Sequence, residues 1–403
     1  MQSINTQIKS SQALALLSGP VREWFASAFS EGPTPAQQQA WPPIAAGEHV
    51  LLISPTGTGK TLAAFLAILD RLFREHEAGT LAPGLRCVYV SPLRSLSYDV
   101  EHNLNVPLEE IRRRLNCERS PVRVGVRTGD TSAHERRKLR IQPPHVLITT
   151  PESLSLLLSQ TGWLDHWRSV EHIVVDEVHA LVPTKRGADL AVSLERLAAA
   201  ATRDPQRIGL SATCRPHDVV SRFLLGHSRA GRIVEAAPVI DAQPIEIAVS
   251  SLIEPGEAPH RGLSYRRLLR VLRELIDRHR TTVVFANTRA FAEKLTHDLR
   301  KDRFAQPAAE SAVAAHHSAL DMQRRRSAEA ALKAGRLRAV ITSTSLELGV
   351  DIGTADLVVQ VGLPGSVARC VQRIGRSGHR PGAASRGILL ASTPAELTGA
   401  VIT

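Results

Sequence analysis

The tetrad Asp176-Glu177-Val178-His179 directly follows the apolar run Ile173-Val174-Val175. A short unbroken apolar run reads as a buried parallel strand, and the C-terminal end of such a strand is where an open α/β sheet holds its ligands. A carboxylate pair there suits a divalent cation and an attacking water. Asp176 would hold Mg²⁺, mostly through a water, and Glu177 would orient or deprotonate the nucleophile. Asp-Glu pairs also occur in ordinary acidic loops, so the tetrad needs a partner. Upstream, Val50-Leu51-Leu52-Ile53 feeds into Ser54-Pro55-Thr56-Gly57-Thr58-Gly59-Lys60-Thr61, followed by helical spacing from Leu62 to Phe73. Strand, glycine-rich loop and helix in this order make a phosphate-binding loop. In Thr56-Gly57-Thr58-Gly59 the glycines let successive N–H groups face the phosphates, and the helix N-terminus adds partial positive charge. Lys60 would reach the β- and γ-phosphates, and the Thr61 hydroxyl would ligate Mg²⁺. Ser54 replaces the usual first glycine, and a residue this small still allows the turn. ATP or another nucleoside triphosphate, with Mg²⁺, is the expected ligand.

The elements that must position these residues follow from the alternation around them. From Val50 to Ser211, apolar runs at 86–90, 122–126, 146–149, 173–175 and 207–210 alternate with amphipathic helical patterns. This predicts a parallel sheet with helices on both faces. An Ala-, Pro- and Gly-rich stretch follows, and then the alternation restarts. Strands are predicted at 282–285, 312–315, 339–342, 357–361 and 387–390, with helices near 262–279, 289–302, 321–334 and 366–375. The fold expected is therefore two successive α/β domains, at 29–225 and 261–403, with an N-terminal extension at 1–28 and a linker region at 226–260. Residues 394–403 read as a helix that stops with the chain, which suggests part of a longer protein.

A chain of 403 residues suits two or three domains, and 43% hydrophobic content is ample for folded cores. The sequence has no apolar run of membrane-spanning length and no signal-peptide pattern at Met1–Ser11, which predicts a soluble, cytoplasmic protein. Cys87, Cys117, Cys214 and Cys370 lack metal-ligand spacing, which argues against a disulfide framework or an iron–sulfur cluster. The net charge of +11, carried mostly by Arg, favours a polyanionic partner. Arg runs at 112–114, 136–137 and 324–326 are equally compatible with solvated helix faces. The second half has its own signal, Gln372-Arg373-Ile374-Gly375-Arg376-Ser377-Gly378-His379-Arg380, whose three arginines could face an external anion.

Taken in order, these motifs resemble those of superfamily 2 helicases, and within them the Lhr (large helicase-related) group, from about Phe29 to Leu390. The resemblance implies tandem RecA-like domains with the ATP site in the cleft between them. Pro33-Thr34-Pro35-Ala36-Gln37 resembles the Q motif, which implies that Gln37 reads the adenine. Ser91–Leu96 and Thr149–Leu154 resemble motifs Ia and Ib, implying backbone contacts to nucleic acid from Pro92, Arg94, Thr150 and Pro151. Ser211-Ala212-Thr213 resembles motif III, which couples nucleotide state to strand binding through Ser211, Thr213 and His179. Val284–Arg289 and Thr342–Gly353 resemble motifs IV and V. They imply nucleic-acid roles for Asn287, Arg289, Thr342 and Ser343, and nucleotide sensing by Gly349 and Asp351. The arginine string resembles motif VI, with Gln372 beside the nucleotide and Arg376 as an arginine finger; the family's spacing puts the second finger at His379, and the next arginine is Arg380, so that role falls to one of these two positions. His179 and Gln372 stand where DEAD-box relatives carry Asp and His. His317 resembles a position near the nucleic-acid path, and a packed histidine at a strand end explains it as well.

The implied activity is ATP-dependent translocation 3′ to 5′ on single-stranded DNA with displacement of the paired strand. An RNA helicase or remodeller, or an ATP-gated clamp on nucleic acid, is the alternative. The family also implies a winged-helix region beyond the second motor domain.

Overall fold

The computed structural model describes residues 12–55, 58–212, 215–236, 244–254, 261–301, 312–347, 355–378 and 384–402. The chain divides into two units, Met1–Ile240 and Asp241–Thr403.

In the first unit, β1 (His49–Ile53), β2 (Cys87–Val90), β3 (Val124–Arg127), β4 (Val146–Thr149), β5 (His172–Val175), β6 (Gln206–Ser211) and β7 (Gly231–Glu235) form one sheet in the order β3-β4-β2-β5-β6-β1-β7. Every pairing is parallel. The strands are apolar on both faces because both faces are covered. Val50, Leu52, Tyr89 and Val174 join one core, while Leu51, Ile53, Val88, Val90 and Val175 join the other.

The second unit holds β8 (Ile245–Ser251), β9 (Thr282–Phe285), β10 (Val313–His316), β11 (Ala339–Thr342), β12 (Leu357–Val361) and β13 (Ser385–Ala391), all parallel, in the order β10-β11-β9-β12-β13-β8. Counted from its own first strand, each sheet runs third, fourth, second, fifth, sixth, first, and the first unit adds β7. The two units are thus one topology used twice, with β8 in the place of β1.

The expected boundaries change in two places. Residues 226–260, expected as a linker, contain β7, which pairs with β1, and β8, which pairs with β13. Both were hidden because they are exposed edge strands: only Val234 of β7 is buried, and all seven residues of β8 are exposed. The stretch expected as an extension is part of the first core, since Ala13, Leu17, Val21, Trp24 and Phe25 are buried there. Phe25 packs edge-on against Trp41 at 5.3 Å, and the Ser18 backbone N–H donates to Asp70 at 2.7 Å. No helix among the described residues is long and apolar enough to cross a membrane.

Candidate nucleotide and nucleic-acid sites

Because β6 lies between β1 and β5, the sheet brings the loops after these three strands side by side at its C-terminal edge. Sequence neighbours do not dictate this; strand order does. The loop after β1 opens the helix Lys60–Glu77, capped by Gly59 with φ of 77°. A Cβ at Gly59 would lie 2.6 Å from Gln37 Nε2, so glycine is required by both backbone and space. Thr34 caps the helix Pro35–Ala45 in a reciprocal box with Gln37, and its hydroxyl donates to Thr58 O at 2.8 Å. Gln37 is buried, accepting from Thr34 N–H at 3.0 Å and reaching Gly59 O at 3.5 Å. The Q-motif helix therefore holds the phosphate loop directly. Lys60 Nζ donates to Ser54 O at 2.7 Å and Pro55 O at 2.6 Å, and Ser54 Oγ donates to Thr58 Oγ1 at 2.8 Å.

At the end of β5, Asp176 and Glu177 are both buried. Burial and the adjacent Glu177 charge push the Asp176 carboxyl up to about 7, against the pull of Tyr89 and Lys60. Asp176 Oδ1 accepts the Glu177 N–H at 2.9 Å, while Oδ2 accepts the Tyr89 hydroxyl. Glu177 sits at φ 47°, a left-handed conformation unusual for a side chain with a Cβ, and such strain gathers at functional positions. His179 reaches motif III: its Nδ1 accepts the Ala212 N–H at 3.2 Å and lies 3.2 Å from Ser211 Oγ. His179 Nδ1 also lies 3.5 Å from Glu177 Oε2. Asp176 and Thr61 offer oxygen donors only, which fits Mg²⁺, an ion that keeps several waters and needs few protein ligands. No group of three His, Cys, Asp or Glu residues suited to a metal occurs among the described residues.

The same edge continues past β5 to β2 and β4, carrying Pro92 and Thr150-Pro151. Pro151 opens the helix Pro151–Leu157, and Thr150 Oγ1 donates to Ser153 Oγ at 3.1 Å. Sequence reasoning missed the residue that ties these loops together. Arg186 NH2 donates to Pro92 O at 2.7 Å and to Glu152 Oε2 at 3.2 Å, and Arg186 Nε also donates to Glu152. Its only sequence signal was the basic pair Lys185-Arg186 at a helix start.

In the second unit the C-terminal edge carries His317, Ser343, Asn287 and Gly362 after β10, β11, β9 and β12. Gln360 Nε2 donates to Asn287 Oδ1 at 3.4 Å, Arg289 opens the helix Arg289–Lys301, and Thr342 Oγ1 lies 3.2 Å from Ser345 Oγ. His317 is buried with Nε2 2.6 Å from Glu293 Oε1, as a packed histidine is. The expectation that three arginines of motif VI face outward fails for Arg373. Its Nε and NH2 donate to Glu347 at 3.1 and 2.8 Å, and its NH1 donates to Gln360 Oε1 at 2.6 Å. It lies on the buried side of the helix Val367–Ile374, over Phe285, and serves as a core ion pair. Arg376 is buried with NH2 donating to Glu347 O at 3.1 Å, and Gln372 is half-buried. Thr56, Gly57, Thr213, Gly349, Asp351 and Arg380, and the side chain of Arg94, lie outside the described residues.

Residues 34–221 match the DEAD/DEAH box helicase family, and residues 265–381 match the helicase conserved C-terminal domain. The chain is 45% identical over 383 residues to "ATP-dependent helicase Lhr-Core protein 2" of Thermococcus barophilus, covering 93% of this chain and 44% of that protein. It is 40% identical to "Lhr helicase/uracil glycosylase" of Escherichia coli, covering 96% of this chain and 28% of that one. Among solved structures it resembles the Mycobacterium smegmatis helicase Lhr bound to ssDNA and AMP-PNP, with a TM-score of 0.86, 42% identity, and coverage of 97% of this chain and 50% of that one. The chain spans less than half the length of these curated relatives. Two parallel-sheet domains of RecA-like topology, with these motifs in order and this identity along nearly the whole sequence, place the chain in the Lhr group of the superfamily 2 helicases.

Proposed function

We propose that this chain is the motor of an ATP-dependent helicase, a nucleic-acid-stimulated ATPase that moves 3′ to 5′ on single-stranded DNA and displaces the paired strand. The observation that carries the reading is the grouping, on one sheet edge, of the Lys60 loop, the buried Asp176-Glu177 pair and the His179 contact to Ser211-Ala212. The solved relative holding ssDNA and AMP-PNP supports both ligands.

In this reading Gln37 faces the adenine, and Thr56-Gly57-Thr58-Gly59 and Lys60 bind the phosphates. Thr61 and Asp176 would hold Mg²⁺, which would neutralise phosphate charge when bound. Glu177 orients the attacking water and takes its proton. Arg376 and Arg380 counter the charge that develops on the transferred phosphoryl group, beside Gln372, while Gly349 and Asp351 sense the nucleotide. His179, Ser211 and Thr213 pass the nucleotide state to the strand-binding residues Pro92, Arg94, Thr150, Pro151, Asn287, Arg289, Thr342 and Ser343. Contacts of this kind to sugar and phosphate give grip without sequence choice, as a motor requires.

The test is ATP hydrolysis with single-stranded DNA or RNA as activator, together with strand displacement on 3′- and 5′-tailed duplexes. DNA stimulation and displacement from a 3′ tail are expected; stimulation by RNA alone overturns the DNA reading. Glu177→Gln should bind ATP and strand without turnover, and undiminished turnover removes Glu177 from the chemistry.

A further inference from the structure

Tyr89 is the one polar side chain in the otherwise apolar strand β2, Cys87–Val90, and it is fully buried. Its ring stacks on Phe65, of the helix that follows the phosphate loop, with centroids 4.7 Å apart and planes 23° from parallel. That packing fixes where the phenol oxygen sits. The hydroxyl donates to Asp176 Oδ2. The second Asp176 oxygen accepts the Glu177 N–H at 2.9 Å, so both carboxylate oxygens are anchored and the group cannot rotate freely.

Each Asp176 oxygen spends one lone pair on its anchor and keeps the other. Tyr89 thus fixes the carboxylate without using the electrons that ligate a metal.

We propose that Tyr89 is a positioning residue for Mg²⁺-nucleotide, holding the Asp176 carboxylate in a set orientation before the nucleotide arrives. The inference rests on the nucleotide-site reading above. Removing the hydroxyl leaves Asp176 Oδ2 without its anchor in a buried site, where the neighbouring Lys60 charge attracts it. Groups that orient metal ligands typically contribute about 10–100-fold to metal affinity.

The test is Tyr89→Phe in the full chain, which keeps the ring on Phe65, with a fluorescent non-hydrolysable ATP analogue followed by anisotropy across a Mg²⁺ titration and in EDTA. The expected result is analogue affinity in EDTA within about twofold of the parent, and a Mg²⁺ half-saturation raised about tenfold or more. ATP hydrolysis should show the same rise in the Mg²⁺ requirement, with the maximal rate largely recovered at high Mg²⁺. Equal weakening with and without Mg²⁺ marks a purely structural role and overturns the proposal, as does an unchanged Mg²⁺ titration. If the parent's own analogue binding is indifferent to Mg²⁺, the nucleotide-site reading falls and this proposal with it.

Discussion

Replacing Glu347 removes the partner of a buried cation, and the cost can be worked from its contacts. The Glu347 and Arg373 side chains are 8% and 2% exposed, and their N–O separation is 2.8 Å. Breaking such a pair from one side typically costs about 3–5 kcal/mol, because the remaining charge stays buried. Two features bring Glu347→Met to the lower end, about 3 kcal/mol. Gln360 still accepts one Arg373 N–H at 2.6 Å, and the Phe285 ring lies 5.0 Å from the guanidinium. The other ion pair of Glu347, to Arg369, is half exposed and adds little. Arg373→Met should cost less, about 1–2 kcal/mol, since Glu347 keeps Arg369. The double variant, with both charges gone and the volume filled, should lose about 2 kcal/mol, well short of the summed singles. Urea unfolding followed by far-UV circular dichroism measures this. All four tryptophans, Trp24, Trp41, Trp163 and Trp167, belong to the first unit, so their fluorescence is an internal control that should not move. A loss under about 1 kcal/mol for Glu347→Met, or single-variant losses that simply add, refutes the buried-pair reasoning.

Further outcomes follow from other contacts. Burial pushes His172 down to about 3 and His145 down to about 4, so both stay neutral in the folded first unit. Above about pH 6.5 folded and unfolded chains hold these imidazoles alike; as pH falls from there toward 4, only the unfolded chain gains the protons, and stability drops by several kcal/mol. Tryptophan-detected urea midpoints at pH 7.5, 5.5 and 4.5 should show a steeper fall for the parent than for His172→Phe, and parallel curves refute the assignment. Arg186→Ala, which frees the Pro92 and Glu152 loops, should weaken single-strand binding about fivefold, equivalent to ~1 kcal/mol; unchanged binding by anisotropy removes it from the grip. A Cβ at Gly387 would lie 2.5 Å from Ile374 Cγ1, so Gly387→Ala should destabilise the second unit by about 1–3 kcal/mol, with partial recovery on adding Ile374→Val. A circular-dichroism transition matching the parent's shows that the site relaxes without cost.

The chemistry of the first unit was legible in the sequence because it is written locally. A strand, a glycine loop with Lys60-Thr61, and an acidic tetrad after an apolar run each declare themselves within about ten residues. The other strands of both sheets were readable for the same reason, since burial leaves each a short apolar run. β7 and β8 were not, because an exposed edge strand leaves no such run. Non-local partners were equally silent. Strand order alone sets β6 between β1 and β5 and so brings Ser211 and Ala212 to His179. Arg373 and Arg376 stand three residues apart in one motif, yet Glu347, Gln360 and Phe285 take the first into the core. Tyr89 lies within the apolar run 86–90, and only the sheet, by setting β2 beside β5, brings its hydroxyl to Asp176. Sequence determined which groups could act; the packing of distant segments decided which of them meet, because hydrogen-bond geometry is fixed only when strands and helices are brought together.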